Sequence, residues 1–155
     1  MKFNAVCLIK ALFVSLLFVM ATTSVIAQES VSGSGGTLVA PTVVGSTITV
    51  SGVATANGGT ARLACVVTSY TSSTYQLTWQ CDRGSLNVDG VLTATVSGSM
   101  KMQCQGGGRA GKITCWHTFA GIALDPDGTS GAVTASAKAA TAYATATVTA
   151  FSATW

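Results

Sequence analysis

Tight-turn sequences recur along this chain and separate short segments in which apolar and polar residues alternate. The turns are rich in glycine, asparagine, aspartate and serine, the residues that suit tight chain reversals. They lie at Asn57-Gly58-Gly59, Thr71-Ser72-Ser73, Asp89-Gly90, residues 106–111 and Asp125-Pro126-Asp127-Gly128. The segments between them, such as 46–50 and 75–79, are rich in Val, Ile, Thr and aromatic residues. This pattern predicts six or more antiparallel strands.

The predicted fold is all-β, a single antiparallel β-sandwich that is immunoglobulin-like or similar, with a barrel as the alternative. Asp89-Gly90 is the strongest hairpin signal, because strand-like residues flank it on both sides. Residues 132–146 are rich in alanine, which favours helix. Their alternation with threonine, and the strand-like residues 145–151 that follow, favour a strand instead.

The amino-terminal residues have the pattern of an export signal. Lys2 and Lys10 give a basic start, and residues 11–20 form an apolar run interrupted only by Ser15. This run is too short, and too closely followed by polar residues, to be a membrane span. We therefore expect no membrane association after cleavage of the signal.

The cleavage site is predicted immediately before Gln28. Val25 and Ala27 lie three and one residues before that bond, in the pattern of small residues that signal peptidases accept. A type IV pilin leader, cut between Ala11 and Leu12, is the alternative. The expected location is secreted, extracellular or cell-surface, with the periplasm as a further alternative.

Three regions follow from these boundaries. Residues 1–27 are the signal peptide, residues 28–36 are a Ser- and Gly-rich flexible leader, and residues 37–155 are a disulfide-stapled β-sandwich domain. Removing the signal peptide from the 155-residue chain leaves 128 residues, enough for one domain with a hydrophobic core.

Charged residues are few. The chain has eight Lys and Arg against five Asp and Glu, and loss of Lys2 and Lys10 leaves a net charge of +1. Nucleic-acid binding requires a concentrated basic face, so we expect no nucleic-acid partner. A surface with few charges also lacks repulsion between copies, which permits self-association.

Four cysteines remain after the predicted cleavage. They are Cys65, Cys81, Cys104 and Cys115. An even number in an exported chain predicts two disulfides, for which three connectivities exist. Since the chain contains no Cys-x-x-Cys pair, we predict structural disulfides and no metal site.

Side-chain alternation favours two local bridges. Placing Cys65 opposite Cys81 in a hairpin puts Val67 opposite Trp79 and collects the apolar side chains on one face. Placing Cys104 opposite Cys115 in the next hairpin has the same effect. Bridges that link the two hairpins are the alternative.

The second bridge also fixes the neighbours of several other residues. With Cys104 opposite Cys115, Met102 lies opposite His117, on the same face as the cysteines. Trp116 then lies on the opposite face of the sheet.

A glycine-rich segment, residues 106–112, resembles part of a phosphate-binding loop. Ile113 stands where Ser or Thr would hold magnesium, and a strand-like segment follows where a helix is required. We therefore interpret the segment as a hairpin loop that presents Arg109 and Lys112, and we predict no cofactor.

Catalytic residues are not predicted, and the chain is not expected to be an enzyme. His117 is the only histidine, and the nearest carboxylates in sequence, Asp125 and Asp127, belong to a predicted turn. Nucleophilic catalysis needs a histidine beside a nucleophile and oriented by a carboxylate. Two carboxylates also supply fewer oxygens than a calcium loop requires.

Two aromatic residues are candidate contacts for a ligand or partner. Trp79 lies on the cysteine face and is predicted to be in the core, whereas Trp116 and Tyr70 are placed on the other face, with Gln103 opposite Trp116. Exposed aromatic rings on a polar sheet stack on sugars or on a partner subunit. If a second sheet covers that face, both are core residues.

The first functional expectation is an extracellular structural or cell-surface protein: a filament, pilus-like, adhesion or matrix subunit. Strand-like residues 37–50 and 141–155 at the two ends of the domain would complete a neighbouring copy by β-strand addition, giving a homopolymer. The alternative is a secreted β-sandwich module that binds surface glycans or another ligand. Its candidate contacts are Trp116, Tyr70, Arg109 and Lys112.

The mature protein is predicted to begin at Gln28 and to contain no free thiol. Intact-mass measurement and thiol titration of native material check both statements, because each oxidised cysteine pair lowers the mass by two hydrogens. A chain that begins at Leu12 would contradict the signal-peptide prediction and support the pilin leader.

Overall fold

The computed structural model describes residues 27–73, 76–106 and 112–155. Within these residues the chain forms nine β-strands and no helix, which confirms the all-β prediction. The strands are β1 (Ser30–Ser34), β2 (Thr37–Val39), β3 (Thr47–Thr55), β4 (Thr60–Ser72), β5 (Gln76–Val88), β6 (Val91–Gly106), β7 (Ile113–Leu124), β8 (Ser130–Ala139) and β9 (Ala146–Thr154). The described part of the chain accordingly has no helix that meets the length and hydropathy needed to span a membrane.

All nine strands belong to one antiparallel sheet that closes on itself. From β3 to β9, each strand pairs with the next in sequence. The strands β1 and β2 lie end to end and fill the remaining gap, because each pairs with both β3 and β9. Between them, the Gly35 amide donates to the Val148 carbonyl oxygen at 2.8 Å.

The immunoglobulin-like sandwich is not confirmed. A sandwich requires connections that cross between two sheets, whereas here neighbouring strands are joined in sequence order within one sheet. The side chains that we expected between two sheets lie inside the closed sheet instead. The largest of those that are fully buried are Trp79, Phe119, Leu38, Ile48, Leu63 and Leu86.

Residues 28–36 differ from the predicted flexible leader, because Ser30–Ser34 form strand β1. Val31 is buried opposite Ala153 of β9. Gly33 approaches the backbone so closely that a Cβ there would overlap the Ala54 carbonyl oxygen. The small residues that indicate flexibility in the sequence therefore serve close packing of backbones.

Both predicted disulfides are present. Cys104 lies directly opposite Cys115, with a Cα–Cα distance of 4.0 Å, in the predicted register. Cys65 and Cys81 are bridged at a Cα–Cα distance of 5.6 Å. Their predicted register is wrong, since Cys81 lies opposite Val67. Irregular pairing between residues 66 and 69 shifts this hairpin, so the bridge joins residues that are not directly opposite.

The predicted turn at Asp89-Gly90 shows the backbone geometry that its residues favour. Asp89 and Gly90 have φ values of 52° and 81°, as a two-residue hairpin turn requires. The Asp89 carboxylate also accepts a hydrogen bond from the Thr60 amide at 2.7 Å.

The alanine-rich residues 132–146 are strand up to Ala139 and resume as strand at Ala146.

Tryptophan side chains lie at the two ends of the closed sheet. We call the end with segments 40–46 and 140–145 the upper end, and the end with turns 56–59, 89–90 and 125–129 the lower end. Near the upper end, the Trp79 indole donates to the Pro41 carbonyl oxygen at 2.6 Å. At the lower end, the Trp155 indole donates to the Glu29 carboxylate at 3.1 Å. Each indole thus forms a hydrogen bond with a residue outside the strands, Pro41 at the upper end and Glu29 at the lower end.

Because β9 closes the sheet, we predict that truncating Phe151 on this strand greatly lowers the stability of the fold. Its side chain is buried, and it lies opposite Gly33 of β1 and Ala135 of β8. We expect Phe151→Ala to lower the free energy of unfolding by about 3–5 kcal/mol, because it leaves a cavity at the closing strand. Urea denaturation followed by tryptophan fluorescence measures the change.

The matched control is Ser152→Ala, at the neighbouring exposed position. Its free energy of unfolding should stay within about 0.5 kcal/mol of the unsubstituted protein. Equal losses in the two variants would contradict an interior position for Phe151.

Candidate functional site

A row of four outward side chains crosses strands β6 to β9 near the upper end. Gln103 lies opposite Trp116, Trp116 opposite Lys138, and Lys138 opposite Thr147. We call these four residues the Trp116 row. Each belongs to a different strand, and each is exposed. Adjacent strands lie about 4.8 Å apart, so the row spans about 14 Å of the outer face.

Trp116 points outward because its neighbours in the strand point inward. Cys115 and His117 are both buried, and successive side chains of a strand project to opposite faces. Gln103 lies opposite Trp116, as the predicted register requires. The Trp116 side chain is 42% exposed, so one part of the indole packs on the sheet and the rest contacts solvent.

The chemistry of the row is an aromatic surface between hydrogen-bonding groups. Gln103 supplies an amide that donates and accepts, Lys138 supplies a cationic donor, and Thr147 supplies a hydroxyl. Indole rings combine a large apolar face with this kind of polar surrounding at binding surfaces. The row can therefore bind a flat ligand with an apolar face and polar edges.

A groove of about 760 Å³ adjoins the row. It is lined by Lys138 and Thr147 of the row, and also by Lys112, Thr114 and Thr149. Volumes of this size are typical of small-ligand sites. The groove extends the candidate binding surface towards the upper end.

Lys112 is exposed and lines this groove, so the structure brings it to the same surface as Trp116. Arg109, the other cation of the predicted hairpin loop, lies outside the described residues. Lys138 and Thr147 are not among the contacts predicted from the sequence. Their outward positions are nevertheless indicated by the alternation of side chains, because both residues alternate with Ala137, Ala139 and Val148, which are buried.

Tyr70 is not part of this surface, and its predicted position is wrong. It is half-buried and lies opposite Trp79, with ring centroids 5.5 Å apart. The register shift between Val67 and Ser69 changes which face the following residues occupy. Partial burial raises the pKa of the Tyr70 phenol, and the neighbouring Tyr143 adds to the increase.

A smaller cavity of about 200 Å³ opens at the upper end of the interior. Its lining is mainly apolar and includes Leu77, Met102 and Ile113. His117 lies directly opposite Met102 on the neighbouring strand. The cavity is thus lined by a direct cross-strand neighbour of His117.

His117 is the one buried polar residue among those described, with 1% of its surface exposed. Among the described residues, its Nδ1 atom has no hydrogen-bond partner, and burial lowers the pKa of the imidazole. Within the described residues, no three His, Cys, Asp or Glu side chains come together to hold a metal ion. These observations describe a neutral interior histidine.

The sequence matches no family model, and comparisons with the curated proteins and with the solved structures found no similar protein. We therefore infer function from the residues of the outer face.

Burial of His117 predicts a loss of stability in mild acid. Because the pKa is lowered in the folded state, the unfolded chain binds the proton first as the pH falls. The free energy of unfolding should decrease as the pH falls below about 6.5, the ordinary pKa of histidine. Urea denaturation at several pH values between about 7.5 and 5 measures this slope.

The control is His117→Met, which has a similar volume and does not titrate. This variant should lose the slope and should be at least as stable near neutral pH, because an unpaired buried nitrogen is removed. A slope that persists unchanged in His117→Met would assign the acid sensitivity to other groups.

Proposed function

We propose that this protein is a secreted module that binds polysaccharide on the outer face of its sheet. The observation that carries the proposal is the Trp116 row: a half-exposed indole between an amide and an ammonium group, aligned across four strands. A sugar ring has an apolar face of C–H groups and a rim of hydroxyls. Trp116 would stack on the face, while Gln103, Lys138 and Thr147 would bind hydroxyls at the rim.

Rigidity of the site supports this role. The four residues of the row project from paired strands, and the Cys104–Cys115 bridge joins the strands that carry Gln103 and Trp116. Side chains held on a rigid sheet lose little conformational entropy when a ligand binds. A preorganised flat surface suits an extended polymer better than a small enclosed ligand.

Two disulfides are compatible with an oxidising compartment outside the cytosol. The predicted signal peptide supports secretion independently. The small number of charged residues also suits a surface whose polar groups are mainly hydroxyls and amides.

The terminal strands bear on the alternative, a subunit that polymerises by strand addition. Both β1 and β2 pair with β9, so the segments that would be donated are already paired within their own sheet. A donor copy would have to break these pairings before it could add a strand to a neighbour. Closure of the sheet therefore favours the binding module over the filament subunit expected from the sequence.

Substitution of Trp116 tests the proposed function. Trp116→Ala removes the stacking surface, and we expect it to weaken polysaccharide binding by at least about tenfold, equivalent to 1.4 kcal/mol. The association state should not change. Affinity electrophoresis against a panel of soluble polysaccharides measures binding, and sedimentation velocity measures association.

Ile122→Ala is the matched control. Ile122 is 58% exposed on the same face of the same strand, six residues from Trp116, a separation of about 20 Å. Its loss should leave binding unchanged. Polymers at high protein concentration, together with normal binding by Trp116→Ala, would reject the module and favour the structural subunit.

A further inference from the structure

All the charged side chains on strands β6 to β9 are positive. Residues 90–124 and 128–155 contain no Asp or Glu, and their charged residues are Lys101, Arg109, Lys112 and Lys138. The three lysines lie among the described residues, and all three are exposed. The outer face around Trp116 is therefore cationic, although residues 28–155 together have a net charge of only +1.

The lysines are arranged around the indole. Lys138 lies directly opposite Trp116 on β8. Lys101 lies on the other neighbouring strand, β6, two residues before Gln103 and on the same outer face. Such diagonal neighbours have Cα atoms about 7–8 Å apart, within reach of a long side chain. Lys112 lines the adjoining groove, so cations lie on both sides of Trp116 and beside the groove.

The carboxylates lie elsewhere. Asp89 accepts a hydrogen bond from the Thr60 amide, and Asp125 accepts one from the Thr129 amide, both in turns at the lower end. Asp127 belongs to the same turn as Asp125, and Glu29 bonds the Trp155 indole at that end. Asp82 is on β5, outside the four strands of the row.

Like charges held near one another repel, and a ligand of opposite charge relieves that repulsion. A neutral sugar would stack on the indole and accept a hydrogen bond from Lys138, but it would leave the positive charges of the three lysines unpaired. Residues 90–124 and 128–155 contain no acidic residue, so neither the strands of Lys101 and Lys138 nor the segment of Lys112 carries a carboxylate. The charge pattern thus complements an anionic ligand rather than a neutral one.

We propose that the Trp116 row binds an acidic polysaccharide. In this inference, which rests on the proposed function, Trp116 stacks on a sugar ring while Lys101 and Lys138 pair with acidic groups on its two sides. Lys112 binds a further acidic group in the groove. Cations on both sides of one aromatic ring favour a polymer with repeated acidic groups, which are carboxylate or sulfate.

The experiment compares acidic polymers with their neutral counterparts by affinity electrophoresis. Polygalacturonate is paired with its methyl-esterified form, and dextran sulfate is paired with dextran. We expect each acidic polymer that binds to bind more tightly than its neutral counterpart. Raising NaCl from about 0.1 M to about 1 M shortens the Debye length from about 10 Å to about 3 Å and should remove this preference. Selective binding to polygalacturonate or to dextran sulfate identifies the acidic group as carboxylate or sulfate.

Lysine substitutions then locate the interaction. Lys101→Gln and Lys138→Gln should each weaken binding to the acidic polymer by about three- to fivefold, as expected for an exposed ion pair. In Lys101→Gln, binding to the neutral polymer should not change, because Lys101 lies outside the Trp116 row. Arg83→Gln is the matched control, because it removes the same charge from an exposed position on β5 and should change affinity by less than about twofold.

The outcomes separate this inference from the proposed function. Equal binding to acidic and neutral polymers, lost in Trp116→Ala but unaffected in Lys101→Gln, would overturn the acidic preference and leave the polysaccharide module intact. Absence of binding to all four polymers would overturn both. Equal effects of Arg83→Gln and the lysine substitutions would also overturn the inference, because they would reflect overall charge alone.

Discussion

Pairing of β9 with β1 and β2 is the interaction on which the rest of the structure depends. It joins the two edges of a sheet built from successive hairpins, so every strand has a partner on both sides. An open sheet of this length would expose two edges, and exposed edges pair with other chains. Closure also encloses the apolar face of every strand, which leaves the opposite face to be polar and available for recognition.

The interior and the proposed site are parts of one pattern. Cys115 and His117 point inward on β7, and for that reason Trp116 points outward between them. The Cys104–Cys115 bridge fixes the register that keeps Gln103 opposite Trp116. Side chains that never contact a ligand thus determine which polar groups surround the indole.

Sequence reasoning succeeded where pairing is regular and local. Asp89-Gly90 identified a hairpin, and side-chain alternation placed Cys104 opposite Cys115 because the pairing of β6 with β7 has no irregularity. The same alternation placed Tyr70 on the wrong face, because the register shift in β4 has no clear signal in the residues themselves. The prediction of a leader at 28–36 failed because its small residues suit flexibility and close packing equally. Closure was beyond local reasoning, since it depends on contacts such as Glu29 with Trp155, 126 residues apart.

The pairing of β1 with β9 also constrains the order in which this chain is able to fold. Hairpins such as the one bridged by Cys104 and Cys115, 11 residues apart, form from neighbouring residues as soon as both strands are available. The strand β1 is synthesised well before its partner β9, so the ring stays open until residues 146–154 have emerged. Contacts of such long range slow folding. If the predicted signal peptide carries the chain across a membrane in an extended form, the sheet would therefore close only on the far side.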